Sequence, residues 1–229
     1  MLRAKKKITK RELKQDALVT TLGKAESLYE ENKRLIGIVA AAVAVAVVGL
    51  MLLNRSRASA EDAAAAALGR VREFVDNGQH QVAVEGVKER GIMGLREIVD
   101  EYGSTSSGRI ARFYLANAYF ATGKVDDAVR EFEDLDPVDD VVASSRLAGI
   151  AACREAKGDH AGAAESFERA GTAYPKDPSA AENLWHAARN HAQAGNRERA
   201  VDLLRKVKKN SPESPLARDA DRLIEQYSR

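Results

Sequence analysis

The chain has 229 residues, and its 36 lysines and arginines nearly balance 34 aspartates and glutamates, for a formal net charge of +2. That balance excludes a molecule whose whole surface is built to hold nucleic acid, and a single cysteine excludes an intrachain disulfide. The charge is unevenly placed: residues 1–34 carry ten basic and five acidic side chains, leaving 26 basic and 29 acidic beyond them.

The basic segment 1–34 holds a capping-box pattern, Thr9-Lys10-Arg11-Glu12, followed by Leu18, Leu22, Ala25 and Tyr29 at helical spacing. A partly amphipathic helix is expected. It suits an anionic inner leaflet, a partner helix or a solvated tail. Residues 35–53, LIGIVAAAVAVAVVGLMLL, contain no charge, Asn, Gln or Pro. As a helix they reach roughly 28 Å at ~1.5 Å per residue, close to a bilayer core. A cleaved signal sequence usually has a shorter apolar core and a shorter basic lead. Lysines and arginines crowd the N-terminal side, while Arg55 and Arg57 are soon balanced by Glu61 and Asp62. The positive-inside rule then places the N-terminus in the cytoplasm and the rest outside the membrane. Gly37 and Ala41 form a small-xxx-small pair, which an Ala-rich span produces by chance.

Beyond residue 58 the pattern is helical throughout and repeats itself. Gly123, Gly158 and Gly195 lie 35 and 37 residues apart. Ala128, Ala163 and Ala200 keep those intervals, as do Phe132, Phe167 and Leu204. Pro175 and Pro212 close two of the units. Each unit reads as helix, Gly turn, helix, Pro stop. The N-terminal neighbour is expected to pair a helix over 61–78 with a helix carrying Gly91, Leu95, Ile98 and Tyr102, and 78–90 reads as a loop. Residues 214–227 read as a polar-faced capping helix.

These spacings resemble the tetratricopeptide repeat (TPR), in which small residues occupy positions 8, 20 and 27, with Gly common at 15 and Pro at 32. With Gly123, Gly158 and Gly195 at 15, Ala116, Ala151 and Ala188 fall at 8, and Ala128, Ala163 and Ala200 at 20. Position 27 holds Leu135, Ala170 and Val207, and position 4 holds Arg112, Leu147 and Leu184 where the family often has Trp. The resemblance implies an all-α fold of TPR-like helical hairpin repeats, a right-handed α-solenoid, preceded by a single transmembrane helix. The chain then divides into a basic segment 1–34, a span 35–53 and a linker with a divergent hairpin 54–108. Three repeats over 109–214 and a capping helix 215–229 complete it.

In such arrays the first helix of each unit lines a concave face. Here that face would carry Phe113, Asn117 and Phe120 from one unit, Glu155 from the next, and Trp185 and Arg189 from the third. Aromatic groups with a few polar ones suit a peptide or an unfolded segment. The competing placement packs Trp185 beneath the C-terminal helix and Phe113 against the 61–78 helix.

Catalytic and metal signatures are weak. His186 and His191 are five residues apart, not the four that puts two zinc ligands on one helical face. Cys153 falls at a small-residue core place. Asp134–Asp140 lacks the spacing and closing Glu of a calcium loop. There is no phosphate-cradling Gly loop and no Gly-x-Ser-x-Gly. We therefore expect no enzyme, cofactor, metal or nucleic-acid partner.

The layout also resembles the YfgM-type proteins, ancillary subunits of the bacterial Sec translocon. That resemblance implies an inner-membrane protein with a cytoplasmic N-terminus and a periplasmic repeat domain that meets translocon or chaperone partners. The alternative is a scaffold for outer-membrane or cell-wall assembly.

Overall fold

The computed structural model describes the backbone of residues 10–229 and the side chains of residues 32–35 and 37–229. The capping box at Thr9–Glu12 and the side chains of Leu18, Leu22, Ala25 and Tyr29 lie outside what is described. The chain falls into two units, Met1–Ser56 and Arg57–Arg229. Helix α1 is Lys10–Asp76, so residues 54–60 are helical rather than an irregular linker. In the first unit Leu35, Ile38, Val45, Met51 and Leu52 are between 61 and 73 % exposed. This is the one helix among the described residues long and apolar enough to cross a bilayer, with a mean hydropathy of 2.9 in its most apolar window. A membrane span and a signal sequence both meet that criterion.

The second unit is a run of antiparallel helices. After the last turns of α1 come α2 (His80–Glu85), α3 (Leu95–Tyr102), α4 (Ser106–Ala121) and α5 (Val125–Glu133). There follow α6 (Asp140–Ala156), α7 (His160–Ala173), α8 (Ala180–Gln193), α9 (Arg197–Asn210) and α10 (Pro215–Tyr227). Local chemistry sets several helix starts. Thr105 Oγ1 accepts from Gly108 N at 3.0 Å, Asp139 Oδ1 from Val142 N at 2.8 Å and Asp159 Oδ1 from Gly162 N at 2.9 Å. Ser214 Oγ does the same for Ala217 N, with Pro215 in the first turn. The three hairpin turns need a left-handed residue, and Gly123, Gly158 and Gly195 supply it with φ of 76°, 80° and 87°.

The alanines at the repeated places are shut in by packing: Ala116, Ala128, Ala151, Ala163, Ala188 and Ala200 are all 0 % exposed. A larger side chain there would hold the helices apart. Phe132, Phe167 and Leu204 are buried as the knobs between hairpins. Two apolar clusters result. One joins Ala67, Val71 and Phe74 of α1 to Leu95, Ile98, Leu115, Phe132 and Ile150. The other joins Phe167, Leu184, Leu203, Leu204, Val207 and Leu223. Cys153 sits in the first cluster as a free thiol, and burial pushes its pKa up to about 11. It is packing, not a nucleophile.

The stretch expected as a loop over 78–90 is ordered. It holds α2 and then a small antiparallel ribbon, β1 (Gly86–Val87) against β2 (Ile92–Met93), with Gly86 opposite Met93. A 3-10 turn, Lys88–Arg90, joins the strands, and Gly91 follows it at φ 61°. Gly91 is therefore a turn residue and not a helical packing position, and α3 begins only at Leu95. The physical reason is a backbone crossing. A Cβ on Gly94 would lie 2.5 Å from the Glu85 carbonyl carbon and 2.6 Å from Gly86 N, too close for any side chain.

The joint between α1 and α4 is polar. Glu61 accepts from Ser106 N at 2.7 Å, Ser107 N at 3.1 Å and Ser107 Oγ at 2.6 Å. The Ser107 hydroxyl first, with the Ser106 and Ser107 amides and against the cost of desolvation, holds the Glu61 carboxyl below its usual range. These bonds satisfy amides that the start of a helix leaves free.

Candidate binding groove

The first helices of the three hairpins, α4, α6 and α8, border a hollow of about 360 Å³. From α4 it receives Phe113, Asn117 and Phe120, which recur at helical spacing on one face. From α6 it receives Ser145, Ala148, Gly149, Ala152 and Glu155. Ser179 and the first turns of α8, with Glu182, Asn183 and His186, close the third side. Phe132 and Phe167, from the second helices α5 and α7, form the floor.

Aromatic contacts shape the floor. The Phe113 ring meets Phe132 edge-on at 6.2 Å between centroids. His186 stacks on Phe167 at 5.0 Å and 19°. Phe120 remains 36 % exposed at the rim. The Asn117 amide donates to Phe113 O at 2.8 Å.

Four of the six residues expected on the concave face, Phe113, Asn117, Phe120 and Glu155, come together here. Trp185 and Arg189 do not line the hollow. Trp185 Nε1 donates to Asp219 Oδ2 of α10 at 2.9 Å, and the ring packs against the second cluster. The Arg189 guanidinium lies over that ring at 4.7 Å. The cause is the helix that follows the last repeat: α10 covers the part of α8 that a further repeat would otherwise flank. His186, edge-on to Trp185 at 5.0 Å, separates the covered indole from the open hollow.

Sequence reasoning missed Gly149, Asn183 and His186. Gly149 carries a signal: Gly inside a helix costs about 1 kcal/mol relative to Ala, so its presence points to a close approach. A Cβ there would lie 2.5 Å from Phe132 Cε1.

The hollow has its own titration. Burial first holds the His186 pKa below its ordinary 6.5 and Arg189 adds to this, while Glu155 and Glu182 oppose it. Its Nδ1 is buried without a partner among the described residues. The unfolded chain therefore binds more protons than the folded one between the lowered value and 6.5, so stability falls as pH drops through that window. We expect the urea midpoint to fall further between pH 7.5 and pH 5.5 in the native protein than in a His186→Phe variant, which keeps the stack on Phe167. Equal falls would place the titration elsewhere.

Elsewhere, half-buried carboxylates are neutralised. Glu131 meets Arg112 at 2.8 Å, and Glu168 meets Arg199 and His191. Among the described residues no cluster of three or more His, Cys, Asp or Glu side chains is arranged to hold a metal ion.

Residues 111–135 and 182–214 match the tetratricopeptide repeat family. Two crystal structures of nearly identical TPR-like repeats, from a protein described as a kinesin light chain of Podosopora anserina, share the fold. One, a glutamine-to-methionine variant of those repeats, superposes with a TM-score of 0.56 at 22 % identity, over 71 % of this chain and 83 % of that one. The second gives 0.53 at 24 % identity with the same coverage. At these identities the likeness is one of fold. No curated protein matches the chain. Tetratricopeptide repeats are protein-interaction scaffolds as a class, so the architecture is that of a protein-binding module.

Proposed function

We propose that this chain is a membrane-anchored adaptor whose repeat domain holds an extended segment of another protein in the hollow between α4, α6 and α8. The observation that carries the reading is the hollow itself. It has an aromatic floor, is bordered by the first helix of three successive hairpins, and leaves Phe120 open at its rim. Exposed aromatic side chains in a concave site are typical anchors for a polypeptide. The anchor is the apolar run 35–53, whose exposed side chains need lipid around them. The basic lead then keeps the N-terminus in the cytoplasm and the repeat domain beyond the inner membrane. There it serves as an ancillary translocon or chaperone-like subunit.

The test uses inner-membrane vesicles carrying a stalled secretory chain. A photo-crosslinking residue at Phe120 is expected to capture that chain, whereas one at Lys206, on the exposed back of α9, is not. Equal capture from both positions would sink the groove. A periplasm-active reporter fused after Arg229 is expected to be active, and carbonate is expected to leave the protein in the membrane. An inactive fusion would reject the orientation, and extraction by carbonate would reject the anchor.

A further inference from the structure

The charge of the hollow is one-sided. Two carboxylates, Glu155 and Glu182, border it, and among the described residues no lysine or arginine lines it. Glu155 is half-buried and has no hydrogen bond or ion pair from its carboxylate among the described residues, unlike Glu131 and Glu168. The Glu182 side chain is 62 % exposed, and its carboxylate lies 3.9 Å from His186 Nε2. Arg189, about one helical turn beyond His186 on α8, lies over the Trp185 ring and pairs with neither carboxylate among the described residues. Phe113, Phe120 and Phe167 line the same hollow.

A partly desolvated carboxylate without a counter-ion is a standing cost, and a ligand that brings the counter-ion relieves it. Aromatic faces attract the same kind of ligand, because a cation over a ring is stabilised by the ring quadrupole. An acidic ligand meets the reverse: like charge from two sides and no donor cation to answer it. The volume, about 360 Å³, stands at the low end for ligand pockets, roughly 300–1,000 Å³, so a few side chains fill it.

We propose that the hollow selects a polypeptide segment in which a lysine or arginine stands beside a large apolar residue, with Glu155 and Glu182 receiving the cation and Phe113 and Phe120 the apolar side chain. This rests on the groove reading above and adds the chemistry of its occupant. The two carboxylates come from different helices, α6 and α8, so a segment that meets both runs across two hairpins. Phe120, 36 % exposed at the rim, offers the apolar neighbour an open ring.

The test uses two short fluorescein-labelled peptides with the same leucines and phenylalanines, one carrying lysines and the other glutamates. Each is titrated against the full-length chain in a neutral maltoside detergent, with anisotropy as the readout. The lysine peptide is expected to bind about tenfold tighter or more at low salt, and the preference is expected to shrink as salt rises. In a Glu155→Gln, Glu182→Gln double variant the two peptides are expected to bind alike, with the emission of Trp185 unchanged as a check on folding. A lysine preference that survives in the double variant overturns the assignment to these two carboxylates. Equal binding to the native protein, weakened for both peptides by Phe120→Asp, overturns the charge rule and leaves the groove standing. Failure of both peptides to bind, or binding indifferent to Phe120→Asp, overturns the groove as well.

Discussion

Replacing Phe132 by alanine is expected to remove about 3–5 kcal/mol of folding stability, the range for emptying a buried aromatic site. Phe132 is 1 % exposed in the last turn of α5. Its ring is held from one side by Phe113, edge-on, and from the other by the backbone of α6 at Gly149. Gly149 has no side chain with which to fill the space, and its neighbours along α6 are mostly small. The cavity therefore persists instead of collapsing. The backbone role of the residue survives the change: Phe132 O accepts from Arg146 Nε at 2.8 Å in either case. Urea unfolding of the full-length chain in mild detergent, followed by circular dichroism, gives the number. Phe120→Ala is the reference, because Phe120 is 36 % exposed and should lose much less. Midpoints lowered equally by the two variants would show that Phe132 is not the ring between the hairpins.

Gly108→Ala is expected to cost about 3 kcal/mol, the upper part of the usual range for overpacking. Gly108 lies in the first turn of α4, where the chain has just left α3. A Cβ there would overlap the Tyr102 carbonyl oxygen and lie 3.0 Å from Gly103 Cα. Both obstacles are backbone, so no side chain can rotate out of the way. The turn itself is pinned, since Thr105 Oγ1 donates to Tyr102 O at 2.8 Å while accepting from Gly108 N. Relief requires α3 and α4 to move apart, which opens the cluster holding Leu95, Ile98 and Leu115. Gly69→Ala in α1 is the control. Gly69 is exposed, and an added Cβ meets nothing within 4 Å. That change should stabilise by about 0.5–1 kcal/mol through helix propensity alone. A Gly108→Ala protein as stable as the native one would contradict the close approach of α3 and α4.

What the sequence determined by itself was the repeat. The turn glycines, the alanines between helices and the large residues at Phe132, Phe167 and Leu204 all stand where their spacing placed them. The reason is that each hairpin meets the same packing problem as its neighbour. The solution is therefore written more than once, at a period that can be counted. The direction of α4 was equally legible: Phe113, Asn117 and Phe120 share a face by helical geometry, and that face borders the hollow.

Tertiary structure decided what repeats do not encode. Trp185 occupies a concave position in its own helix, yet α10 captures it through Asp219, because a terminal repeat is covered by whatever follows it. Gly149 opens room for a ring seventeen residues earlier in the chain, and Gly86 crosses Gly94 in a ribbon too short to show strand alternation. The lack of a cation beside Glu155 belongs to the same class, since it depends on Arg189 lying over an indole ring instead of turning to the hollow. Periodicity reports which face of a helix is buried. Contacts between residues distant along the chain depend on which helix arrives at that face, and only the assembled hairpins settle it.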